Sequence, residues 1–181
     1  MIPEIQKILY ATDLSDNSAY AFQYAMSSAK KHNADIIILH VLEKLSPTAR
    51  TLVEPYLDEK QQKKIFEENV EHTIGRIRKR LKIFFDKKLK DDPECADRVK
   101  SIEVCEGFPA DEILRKADEL DCDAIIMGTH GKGIIWNTFL GSVTKRVLRR
   151  VRKPVFIIPL PKEETDITFH DFLGSYSKEL G

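Results

Sequence analysis

Four short apolar runs punctuate the chain, Lys7–Ala11 (KILYA), Asp35–Val41 (DIIILHV), Asp123–Gly128 (DAIIMG) and Pro154–Ile158 (PVFII). Their length and β-branched content predict strands buried on both faces, the mark of a parallel sheet. A fifth segment, Val99–Cys105 (VKSIEVC), alternates polar and apolar residues and reads as another strand. Between the runs lie helical stretches at Ser18–Lys31, about Asp58–Leu89, Pro109–Leu120 and Ser142–Val151. Strands alternating with helices require right-handed crossovers, which predicts an α/β fold with a doubly wound open sheet of five parallel strands. Ligands of such sheets sit beyond the carboxyl ends of the strands, where the strand order reverses. The loops that begin at Thr12, Leu42, Glu106 and Thr129 are therefore the places to search.

In the second helical stretch Phe66, Val70, Ile74, Ile77, Leu81 and Phe84 recur at helical spacing and predict a core-facing stripe. The segment Glu43–Leu57, with Pro47 and Pro55, reads as a loop lying over the site. Residues 1–161 form the expected domain, and residues 162–181 a tail that is either mobile or docked on a neighbour.

Charge and cysteine content narrow the function. Lysine plus arginine number 29 and aspartate plus glutamate 29, so no global field favours nucleic acid or an acidic membrane. The three cysteines, Cys95, Cys105 and Cys122, form no C-x-x-C pair and read as reduced, intracellular thiols. The N-terminus has no apolar stretch with a cleavage site and no segment approaches a membrane span, so a cytoplasmic protein is expected. His32, His72 and His170 have no ligand spacing, and no intrinsic metal site is expected. His40 precedes Val41 on a buried strand and is expected to be packed and hydrogen-bonded on the opposite face.

The segment Gly128–Val147 (GTHGKGIIWNTFLGSVTKRV) carries the chemistry. Glycine permits positive φ and lets a ligand approach the backbone. A helix opening on Ser142-Val143-Thr144 presents unpaired N–H groups and hydroxyls to an anion. The Walker spacing is absent, and Gly131-Lys132-Gly133 is followed at the third place by Trp136, which disfavours a dinucleotide fingerprint. No general base beside a nucleophile is evident. The basic run Lys145, Arg146, Arg149, Arg150, Arg152 and Lys153 reads as a solvated face opposite Val143, Val147 and Val151, with polyanion binding as the sharper alternative.

Gly128, Gly131, Gly141 and Ser142 fit without a gap the G-x2-G-x9-G-[ST] pattern of ATP-binding universal stress proteins. The chain resembles that family from about Ile5 to Pro159, including ATDLSDNSAYAFQYA, DIIILHVLE and KPVFIIP. The resemblance implies a Rossmann-like, adenine-nucleotide-binding sheet of order 3-2-1-4-5. It also implies a homodimer through the last strand and a nucleotide-responsive regulatory role in stress response. Slow ATP hydrolysis and an interaction scaffold with a vestigial site are the alternatives. By the resemblance Asp13 would contact the adenosine end, with Thr12 before it, and Val41 would hold adenine through its backbone. Gly128 would lie beside the nucleoside, and Met127 before it counts among the candidate binding residues. Gly131, Gly141, Ser142, Val143 and Thr144 would cradle the phosphates, His130 standing among them, and Mg²⁺ or Mn²⁺ would arrive with those phosphates. Asp13 also reads as one of several candidate helix caps beside Ser15, Asp16 and Asn17.

Overall fold

The computed structural model describes residues 3–44, 48, 51–52, 54–60, 70–90, 92–129 and 140–159. Five parallel strands, β1 (Lys7–Thr12), β2 (Asp35–Glu43), β3 (Val99–Gly107), β4 (Ala124–Gly128) and β5 (Val155–Ile158), form one sheet in the order β3-β2-β1-β4-β5. The helices are α1 (Asp16–His32), α2 (Val70–Lys88), α3 (Pro93–Arg98), α4 (Pro109–Glu119) and α5 (Ser142–Arg150). The sheet is the expected doubly wound one, and the strand order reverses between β1 and β4. In β1, Ile8 pairs with Ile36 of β2 on one side and with Ala124 of β4 on the other.

Because side chains alternate across a strand, the continuous apolar runs feed two cores. Ile8, Tyr10, Ile36 and Ile38 point to one face, where they meet Ala21, Phe22 and Ala25 of α1 and Leu81, Phe84 and Phe85 of α2. Leu9, Ile37, Leu39, Ile125 and Met127 point to the other, against Ile113 and Ala117 of α4 and Val147 of α5. The stripe on α2 is thus core: Ile74 and Ile77 pack against it, and Leu81 and Phe84 lie within it. Phe66 lies outside the described residues.

Three elements differ from the sequence reading. The helix α3 is new: Asp92 caps it by accepting from the Cys95 N–H at 3.2 Å, and Pro93 opens it. The segment read as a loop from Glu43 carries regular structure at its described residues: Glu43 ends β2, Thr48, Thr51 and Leu52 are helical, and Glu54–Tyr56 form a 3-10 turn. Lys153, assigned to the solvated basic face, instead donates to the carbonyls of Ala117 and Cys122 at 3.2 and 2.8 Å. Those carbonyls lie around the end of α4, where a cation complements the helix dipole. Lys145, Arg146, Arg149 and Arg150 are exposed as expected, and Arg150 pairs with Asp111 of α4. Among the described residues no helix is long and apolar enough to cross a membrane.

Candidate functional site

The sheet places the ends of β2, β1 and β4 side by side, and the two halves of the candidate site grow from them. In the first half the chain leaves β1 through a tight turn. Leu14 takes the left-handed conformation at φ 65°, and its N–H donates to the Thr12 hydroxyl oxygen at 3.1 Å. One oxygen of the half-buried Asp13 carboxylate accepts both the N–H and the hydroxyl of Ser15, at 3.1 and 2.6 Å. Ser15, not Asp13, is the N-cap of α1, its side chain accepting from the Ser18 N–H. Asp13 therefore steadies the cap and keeps its second oxygen free of any hydrogen bond among the described residues.

β2 outruns β1. Thr12 is the last residue of β1 and pairs with His40, whereas Val41, Leu42 and Glu43 continue beside Cys105, Glu106 and Gly107 of β3. Among the described residues the β1-facing backbone edge beyond His40 has no strand partner, which leaves peptide groups there able to hydrogen-bond a ligand. His40 itself is buried and hydrogen-bonded, as its place on β2 requires: Nδ1 lies 2.8 Å from the Thr12 carbonyl oxygen.

The second half forms where β4 passes toward α5. Gly128 ends β4, and Thr129 follows, its N–H donating to Ile158 at 3.0 Å. The Thr129 carbonyl accepts the Gly141 N–H at 2.8 Å and the Thr144 hydroxyl at 3.3 Å, so the start of α5 is bound to the end of β4. Gly141 is the N-cap, with extended backbone at φ −65° and ψ 163° and no side-chain cap. The N–H groups of Ser142, Val143 and Thr144 have no acceptor among the described residues, and the first helical bond is Lys145 N–H to Gly141 at 3.0 Å. A helix start of that kind attracts anions.

Several expected residues behave differently from the sequence reading. None of the described glycines has positive φ, so the left-handed freedom invoked for them is not used at Gly128 or Gly141. What Gly128 lacks is a Cβ: one built there would stand 2.8 Å from the side-chain nitrogen of Asn17. The Thr144 hydroxyl is turned inward to the Gly128 and Thr129 carbonyls, leaving its backbone N–H as the group that faces the crevice. The Met127 side chain belongs to the second core. His130 and Gly131 lie outside the described residues. Asn17 and Thr129 were missed as site-building residues; Asn17 had registered only as a candidate cap. Among the described residues no cluster of three or more His, Cys, Asp or Glu side chains is placed to hold a metal ion.

A model of the universal stress protein family matches residues 4–159. Universal stress protein MJ0577 of Methanocaldococcus jannaschii is 29% identical over 153 residues, covering 84% of this chain and 94% of that protein. Its solved structure has a TM-score of 0.67 at 26% identity, covering 89% of this chain and 100% of the other. Universal stress protein YxiE of Bacillus subtilis is 32% identical over 156 residues, 84% of this chain and 97% of its own length. A universal stress protein solved in complex with cAMP shares the fold, with a TM-score of 0.52 at 24% identity over 88% of this chain and 100% of that one.

Proposed function

The chain belongs to the universal stress protein family, and on that footing we propose that it binds ATP in the crevice beyond β1 and β4 and acts as a nucleotide-responsive regulatory module in stress response. The observation that carries this reading is the start of α5, where the N–H groups of Ser142, Val143 and Thr144, without an acceptor among the described residues, stand across the switch point from Asp13. A phosphate chain laid on that helix start gains hydrogen bonds and the favourable end of the helix dipole. The second oxygen of Asp13 accepts from ribose hydroxyls, and the β2 backbone beyond His40, at Val41, meets the adenine. A fold relative that holds cAMP supports an adenine nucleotide as the ligand class. Mg²⁺ or Mn²⁺ would enter on the phosphates, which supply the oxygen ligands these hard cations take.

The test is calorimetry with ATP, with and without Mg²⁺, together with the small molecules released on heating freshly purified protein. The backbone of Gly141 lies in a region open to any residue, so Gly141→Val is expected to fold and to place a branched Cβ where the phosphates approach. No measurable ATP binding is expected from it. An affinity equal to the wild type's would remove the phosphates from α5, and phosphate release during the titration would favour a slow hydrolase.

A further inference from the structure

Asn17 lies in the first turn of α1 and is buried, at 3% exposure. Its side-chain Nδ2 crosses to β4 and donates to Thr129 Oγ1 at 3.1 Å, joining residues 112 positions apart. The carboxamide passes directly over residue 128, where a Cβ would stand 2.8 Å from Nδ2 and 3.0 Å from Cγ. Only glycine admits it there without displacement. Thr129 in turn holds the start of α5 through its carbonyl, which takes the Gly141 N–H and the Thr144 hydroxyl. On the other side the helix turn bearing Asn17 is tied to β1: the Ser18 hydroxyl lies 2.9 Å from Thr12 Oγ1, and Ser15 is held by Asp13. A continuous polar path thus joins the Asp13 turn to the Gly141 turn.

We propose that Asn17 is a positioning residue which, through Thr129, fixes the start of α5 relative to the β1 turn so that one ligand can reach both. Gly128 is glycine in order to let that side chain through. This rests on the nucleotide reading and adds to it a specific dependence. A ligand that bridges the two turns gains from their fixed spacing, because engaging the first makes the second an intramolecular event. A ligand that occupies one turn alone gains nothing from it.

Calorimetry with ATP, adenosine and inorganic triphosphate separates these cases. Asn17→Ala and Thr129→Val are expected to weaken ATP at least about tenfold while leaving adenosine and triphosphate within about twofold, since only the bridging ligand senses the spacing. Thr129→Ser keeps the hydroxyl and is expected to restore the wild-type ATP affinity. The Asn17→Ala/Thr129→Val double variant is expected to lose no more than either single change, because both break the same link. An unchanged ATP affinity in Asn17→Ala, an equal loss for all three ligands, or additive losses in the double variant would each overturn the positioning role. Wild-type protein that binds none of the three would overturn the nucleotide reading itself, an outcome distinct from normal binding with indifferent variants.

Discussion

His40 Nδ1 lies 2.8 Å from the carbonyl oxygen of Thr12, its own register partner across β1 and β2. A carbonyl only accepts, so Nδ1 carries the proton in this bond. His40→Leu removes that donor from a buried carbonyl and is expected to lower the unfolding free energy by about 1–3 kcal/mol. Urea titration reads the change directly. An unshifted midpoint would mean that water or another donor replaces the imidazole at no cost.

The turn after β1 separates ligand chemistry from capping. Ser15→Ala deletes the N-cap of α1 and is expected to cost about 1 kcal/mol of stability. Asp13→Ala removes the proposed acceptor for the ribose and is expected to weaken ATP about 10- to 150-fold, the equivalent of about 1.5–3 kcal/mol, without touching triphosphate binding. Its stability loss is expected to be no greater than that of Ser15→Ala. Unchanged ATP affinity with a lowered midpoint would confine Asp13 to steadying the turn.

We expect a homodimer through β5, an edge strand whose outer side has no strand partner among the described residues. The side chains argue for a particular probe. Val155 and Ile157 pack into the protomer's own second core, whereas Phe156 is 40% exposed. Lysine at 155 and 157 together would bury charge inside one protomer, so Phe156→Lys is the cleaner disruption. Sedimentation should show a dimer for the wild type and a monomer for that variant; an intact Phe156→Lys dimer would relocate the interface.

Alkaline stability is set in part by Cys122. Burial pushes its thiol up to about 11, against a partial downward pull from Lys7 and Lys153, and the residue is 1% exposed. In the unfolded chain a thiol titrates near ~8.5. Above that pH the unfolded chain releases a proton that the folded chain keeps, so the stabilisation is full below it. It then falls by up to about 1.4 kcal/mol per pH unit as the folded thiol's own range is approached. Urea midpoints measured upward from about pH 9 should therefore decline less steeply in Cys122→Ala than in the wild type. Parallel declines would show that the buried thiol ionises as readily as a free one.

Strands buried on both faces demand continuous apolar runs, and such runs announce themselves in sequence. The run read as Lys7–Ala11 became Lys7–Thr12, and Pro154–Ile158 became Val155–Ile158. The run read from Asp123 starts one residue later, because the Asp123 carboxylate turns back to accept the N–H groups of Gln6 and Lys7 at 2.9 Å each. The helix α3 has six residues, too few to display a period, and its only local signal was the pairing of Asp92 with Pro93. Of the candidate site, the ends of β1 and β4 and the start of α5 at Ser142 were legible because apolar runs and the Gly141-Ser142 pair are local signals. The Asn17–Thr129 contact was not, since nothing near either residue names the other. A buried asparagine at a helix start looks in sequence like one more cap.

The position of β1 between β2 and β4 orders events in time. Its pairing with β2 closes after about the first 40 residues, but the partner on its other side begins at Ala124, so half of its hydrogen-bonding edge waits for distant chain. Contacts of such separation form late and slow the folding of parallel sheets. During synthesis the Asp13 turn emerges from the ribosome long before the Gly141 turn exists to face it. A ligand that needs both turns can stabilise only a chain made at least as far as α5, and its binding would report that synthesis has passed that helix as well as the supply of the ligand.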